Sequence, residues 1–164
     1  MAENLIANLP VVLQSINTRH LFTMRLDVKP MVIIGATPAG FKRVGVVTGG
    51  VFEGERLNGI VVDGGSDWQT VRSDGAVYLD VKLMLQTDDG ELIGMIYQGL
   101  RAGDREILQR VDRGEAVDPA TYYFRTTVMF DTAAVKYGWL NHILAIGTGL
   151  RTAKGPVYNL FEVG

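Results

Sequence analysis

The chain has 164 residues, with 16 basic and 18 acidic side chains and a net charge of −2. That length suits one domain, and the even charge, with no basic run or stripe, gives nucleic acid nothing to hold. There is no cysteine and there are two histidines, His20 and His142, which removes disulfides and thiolate chemistry and leaves no HxH or HExxH spacing, so neither a metal nor a cofactor is expected.

Apolar stretches are short and broken by glycine or charge, and none spans a bilayer. No basic segment precedes a long apolar run at the N-terminus, so a cytoplasmic location is the default expectation. Residues 1–19 place Leu5, Ile6, Leu9, Val12, Leu13 and Ile16 at intervals of three to four, the spacing of an amphipathic helix. Pro10 falls in its first turn or splits it. This arm either packs on the domain or serves as a partner or dimer arm, which leaves homo-oligomerisation open.

From residue 20 to the end the signals are β. Strands are predicted at 21–28, ending near Pro30, at 42–48, at 57–63 and at 67–73, with glycine-rich turns between them. In 77–87, Val77, Leu79, Val81, Leu83 and Leu85 alternate with Tyr78, Asp80, Lys82, Met84 and Gln86. Asp88-Asp89-Gly90 then turns the chain into 91–99, since Asp-Gly between alternating runs is a hairpin signal. A helix over 104–114 is predicted from Asp104 as cap, Ile107, Leu108 and Val111 as apolar face, and Gly114 as stop. Strands follow at 121–130, about 141–151 and 156–163, with a helical turn at 132–138. So many strands with little helix make an all-β domain, and a closed antiparallel β-barrel with one or two short helices removes the sheet edges.

Three clusters of polar residues are candidate sites. In 64–75 two carboxylates, an arginine and an indole fall close together, with Asp67 and Trp68 on opposite strand faces. Asp67 is the candidate general base and Arg72 an anion anchor. The bland alternative is an Arg–Asp pair beside a core tryptophan. In 121–126, Tyr123 and Arg125 share a face and suit polarising a substrate oxygen; otherwise they are an exposed aromatic face. In 137–142, Trp139 and Asn141 suit lining and orienting a ligand, or else form a packed corner. Asp80 shares a face with Tyr78 and Lys82 and is a further candidate to bind substrate.

The stretches Gly49-Gly50-Val51-Phe52-Glu53-Gly54, Gly64-Gly65-Ser66-Asp67-Trp68, Arg72-Ser73-Asp74-Gly75, Thr87-Asp88-Asp89-Gly90, Tyr122-Tyr123-Phe124-Arg125 and Trp139-Leu140-Asn141 resemble, in this order, the family called domain of unknown function 3237. The likeness covers about residues 20–163. Phe130-Asp131-Thr132 departs mildly from the family's Phe-Glu-Thr. The resemblance implies a lipocalin-like or streptavidin-like barrel and implies no reaction. A barrel of about eight strands holds one small molecule. The expected function is therefore cofactor-independent isomerase, cyclase or hydro-lyase chemistry on a small apolar or aromatic molecule. Asp67 would act as base, Tyr123 and Arg125 as polarisers, and Trp68 and Trp139 as pocket walls. The alternative is a carrier or sensor of such a ligand.

Overall fold

The computed structural model describes residues 4–164. Ten strands form one antiparallel sheet that closes on itself: β1 (Thr18–Val28), β2 (Val32–Thr37), β3 (Gly40–Glu53), β4 (Gly59–Val61), β5 (Gly65–Val71), β6 (Val77–Thr87), β7 (Leu92–Gly103), β8 (Tyr122–Asp131), β9 (Ala145–Thr152) and β10 (Gly155–Val163). β1 and β2 run successively along one edge of β3, and β4 and β5 successively along the other. Ten strands thus supply eight barrel positions, and the β1–β3 and β1–β10 pairings close the ring. No described helix is long and apolar enough to cross a membrane.

Alternation decides what faces inward. β6 buries Val77, Leu79, Val81, Leu83 and Leu85, and β7 pairs with it through Ile93, Met95, Tyr97, Gly99 and Arg101 on the same side. A one-residue slip would invert both sets, so the long β6–β7 hairpin fixes the register of the wall. At Gly50, β3 pairs with Leu26 of β1 on one side and Val61 of β4 on the other. The Gly50 φ is +151°, and a Cβ there would sit 2.2 Å from the Arg25 carbonyl oxygen, so only glycine fits.

The two ends of the barrel differ. At one end Phe22 meets Phe52 and Phe130 at ring distances of 5.2 and 6.0 Å, and Tyr137 and Leu140 of a 3-10 turn (Val135–His142) cover them. Each such side chain contributes about 1.5–3 kcal/mol by leaving water. At the other end the helix α1 (Arg105–Asp112) lays Leu108 and Val111 against the core. Asp104 caps it by accepting from the amides of Glu106 (2.9 Å) and Ile107 (3.4 Å).

Four sequence expectations change in detail. The predicted arm is not a continuous helix: over the described residues it is a turn followed by one 3-10 turn, Val11–Leu13, just after Pro10. Its apolar residues Leu5, Ile6, Val11, Val12, Leu13 and Ile16 are exposed. A short helix is marginal without a surface to pack on, and Pro10 interrupts the backbone bonding; residues 1–3 of that expectation lie outside the described chain. β2 has no counterpart among the predicted strands, the strand predicted at 57–63 shrinks to β4, and residues 141–142 end a 3-10 turn ahead of β9.

Candidate functional site

β5 is a regular strand, so Gly65, Asp67 and Gln69 point inward while Ser66, Trp68 and Thr70 point outward. Asp67 lies opposite Gly45 of β3 and Val81 of β6 and is 8% exposed. Gly45 leaves the space above it to Met31 of the β1–β2 connection: a Cβ on Gly45 would lie 3.2 Å from the Met31 Sδ and 3.7 Å from the Asp67 Cβ.

A relay of hydrogen bonds fixes one side of the carboxylate. Gln69 Nε2 donates to Asp67 Oδ2 at 2.6 Å. Arg43 Nε donates to Gln69 Oε1 at 2.8 Å, which sets the amide's orientation. Arg43 then forks onto Asp112, with Nη1–Oδ2 at 3.2 Å and Nη2–Oδ1 at 3.0 Å. Arg101 also donates to Asp112 Oδ1. Asp112 is the last residue of α1, so the helix delivers the counter-ion for two barrel arginines.

The other side of the carboxylate is unbonded. Asp67 Oδ1, Tyr97 Oη, Arg101 Nε, Thr126 Oγ1 and Arg151 Nε are the buried side-chain polar atoms without a hydrogen-bond partner among the described residues. Three of their residues, Asp67, Arg101 and Arg151, border an interior cavity of about 10 Å³, with Gln69, Phe124 and Tyr158; this is space on the scale of one water molecule. Tyr97 occupies the register row of Asp67, two strands away across Val81. Its ring lies 5.2 Å from that of Tyr158, which packs edge-on against Phe124 at 5.6 Å.

Burial pushes the Asp67 carboxyl up to about 6, against the lowering effects of the Gln69 hydrogen bond and of Arg101, Arg43 and Arg151. Burial likewise raises the Tyr97 and Tyr158 phenols, which therefore stay protonated. It lowers Arg101, which is 3% exposed and is held in its charged form by Asp112. The site thus combines a half-bonded carboxylate near neutrality with unfilled guanidinium donors on Arg101 and Arg151. That set can take a proton, return it, and stabilise negative charge on an oxygen. Among the described residues no three His, Asp or Glu side chains gather as metal ligands.

The other residues picked from sequence are not beside Asp67. β8 turns Tyr122, Phe124, Thr126, Val128 and Phe130 inward, so Tyr123 and Arg125 stand on the outer wall. There the Arg125 guanidinium lies 5.1 Å over the Tyr123 ring and donates to the Phe124 carbonyl at 2.9 Å. With Arg72 they border an outer groove of about 660 Å³. Tyr123, Arg125 and Arg72 are not buried there. Trp68 is 54% exposed, and with Asp80, its partner in register, it borders another outer recess. Arg72 is tied to Asp74 at 2.8 Å in the β5–β6 turn. Trp139 packs under Arg56, 4.1 Å from the ring centre. Asn141 is structural: its amide accepts from Thr132 N at 2.8 Å and donates to Thr132 O at 2.9 Å. Sequence reading missed Gln69, Tyr97, Arg101, Arg151 and Tyr158. For Arg101 the signal was present, because it continues the inward series Ile93, Met95, Tyr97 at steps of two.

Residues 16–163 match the family described as protein of unknown function (DUF3237). A UPF0311 protein of Rhodopseudomonas palustris is 32% identical over 149 residues, covering 91% of this chain and 97% of its own. A solved β-barrel-like protein of Acinetobacter baumannii superposes with a TM-score of 0.80 at 37% identity, over 92% of this chain and 97% of the other. The hydroalkoxylation enzyme phnH of Penicillium herquei is 30% identical over 132 residues, 80% of this chain and 73% of its own. A solved structure described as an enzyme from the same fungus gives a TM-score of 0.70 at 26% identity, over 91% and 95% of the two chains. Fold, register and sequence agree: the chain belongs to the DUF3237 family of β-barrel proteins.

Proposed function

We propose that the barrel is a cofactor-independent acid–base enzyme that adds an O–H group across a carbon–carbon double bond conjugated to a carbonyl, or catalyses the reverse elimination. The observation that carries this reading is the Asp67 carboxylate, which borders the cavity, is fixed through Oδ2 to Gln69, and keeps Oδ1 buried with no partner among the described residues. The likeness to a protein named as a hydroalkoxylation enzyme supports the same reaction class.

The steps balance without an oxidant or reductant. Asp67 removes the hydroxyl proton, and the oxygen forms a C–O bond to the alkene carbon β to the carbonyl. The π electrons move onto the carbonyl oxygen, and the free Arg101 donor at the cavity suits that developing negative charge. The protonated Asp67 then returns its proton to the α carbon. A carboxyl pushed up to about 6 serves both directions near neutral pH. A carrier or sensor of an apolar ligand, the alternative role, gains nothing from a buried carboxylate beside arginines, and apolar walls alone would serve it better.

The test uses hydroxyl-bearing conjugated ketones, with and without an appended carboxylate, in D2O. Wild-type protein should speed cyclisation and place deuterium at the α carbon, read by mass spectrometry, and Asp67→Asn should return the rate to background. Equal rates for wild type and Asp67→Asn would refute the assignment of the base.

A further inference from the structure

Outside the interior cavity, the same end of the barrel opens into a mouth of about 490 Å³ bordered by six charged residues: Asp27, Lys29, Asp112, Arg113, Arg151 and Lys154. Its acids are already engaged, Asp27 with Arg25, and Asp112 with Arg43 and Arg101. Arg113 is held by Glu115 at 2.7 Å. Lys29, Arg151 and Lys154 have no salt-bridge partner among the described residues. The mouth is therefore a ring of cations whose negative charge is spoken for.

Arg151 is the one charged residue that borders both the mouth and the interior cavity while lacking an ion-pair partner among the described residues. It ends the inward series of β9, after Ala145, Gly147 and Gly149, so small residues lead from the core to a guanidinium at the rim. Its Nε is buried and has no hydrogen-bond partner among the described residues. A guanidinium presents a planar fork that fits a carboxylate by two parallel bonds, and no described carboxylate fills it. Met31 lines the interior cavity together with Arg151 and Asp67; a thioether with three rotatable bonds is easily displaced by an entering molecule.

We infer that the molecule the barrel takes is an amphipathic anion: Arg151 holds its carboxylate or comparable oxyanion at the mouth, Lys29 and Lys154 draw it there, and its apolar body passes Met31 toward Asp67. This rests on the reading of the interior as the reaction site and adds the chemical class of substrate. The anion-binding role is separate from proton transfer, so the two are tested separately.

The probes are cinnamate and cinnamamide, which differ in charge and hardly in shape, with affinities from calorimetry. Wild-type protein should bind cinnamate about tenfold or more tighter than cinnamamide, the scale of a charge-assisted fork, and the preference should shrink as salt is added. Arg151→Gln should weaken cinnamate to the level of the amide while leaving the amide unchanged, and Arg151→Lys should keep part of the preference. Should Arg151→Gln fail to fold, the salt dependence in wild type and the Arg151→Lys variant still decide. Equal binding of the two probes, no binding of cinnamate at millimolar concentration, or a preference that survives Arg151→Gln would overturn the inference. An intact cinnamate preference alongside full turnover in Asp67→Asn would overturn the base assignment alone.

Discussion

Asp67→Asn should make this protein more stable at pH 8, and the gain should vanish in acid. The asparagine side chain has the shape of the protonated carboxyl and keeps an oxygen to accept from Gln69, so comparing the two proteins isolates the cost of ionising Asp67 in place. Burial raises that carboxyl from an ordinary 3.8 to about 6. The native state then holds its proton more tightly than the unfolded chain, so between about pH 4 and 6 it binds more protons and loses stability as pH rises. Above about pH 6 the loss is complete. A rise of roughly two on the pH scale, at about 1.4 kcal/mol each, comes to ~3 kcal/mol. In a domain of this length that corresponds to a melting temperature higher by about 6–12 °C. Urea denaturation of both proteins from pH 4 to 8 measures it with no knowledge of the substrate. The pH effects of every other group common to both cancel in the difference. If Asp67→Asn proves no more stable at pH 8, or if its advantage is the same at pH 4, the carboxylate is not buried as described and the site argument fails with it.

Turnover should rise with pH to a plateau, with a midpoint near the Asp67 value of about 6. Asp67→Asn should lower it by roughly a hundredfold or more, while Tyr123→Phe and Trp68→Ala on the outer wall should leave it unchanged. Asp112→Ala removes the counter-ion of Arg43 and of Arg101, which is 3% exposed, and should cost about 3 kcal/mol in urea denaturation. Gly149→Ala places a Cβ 2.5 Å from the Phe124 ring and should cost about 1–3 kcal/mol in thermal melts. It should also disturb the near-ultraviolet signal of Phe124 and Tyr158, which are packed edge to face.

How much of this was legible in sequence depended on whether a residue's face could be read. β6 and β7 announce themselves by strict alternation, and parity alone sets Asp67 and Trp68 on opposite faces, so the two do not line one pocket as expected. The same rule, applied to Phe124, Val128 and Phe130 as the apolar face of β8, puts Tyr123 and Arg125 outside. Their chemistry, not their parity, makes them candidates. Trp68, expected as a pocket wall, turns its indole to solvent, and the barrel interior supplies the desolvation of Asp67. Arg151 was hidden because Ala145, Gly147 and Gly149 give β9 no bulky apolar stripe against which an inward arginine would stand out. The link from Asp112 to Arg43 and Arg101 spans 69 and 11 residues, and only the closure of the barrel and the docking of α1 bring those side chains together.

The two ends of the barrel divide the work of folding and function. The Phe22, Phe52 and Phe130 end is built on buried aromatic surface. The Asp67 end leaves polar atoms of Asp67, Arg101 and Arg151 without partners among the described residues, each a cost of about 1–3 kcal/mol when left unmet. The barrel can sustain that cost because the β1–β10 and β1–β3 pairings close its wall and its other end is apolar. The unmet groups are also not of one kind: an acceptor on Asp67 stands against donors on Arg101 and Arg151. Rigid packing alone would pair such groups with one another. Here the Gln69 relay ties up one carboxylate oxygen, Asp112 engages Arg43 and Arg101, and Gly45 keeps the space above Asp67 clear of a side chain of its own. The donors and the acceptor are thereby held apart across a gap, and the partner that satisfies both at once is a molecule with a hydroxyl at one point and an electron-rich oxygen at another.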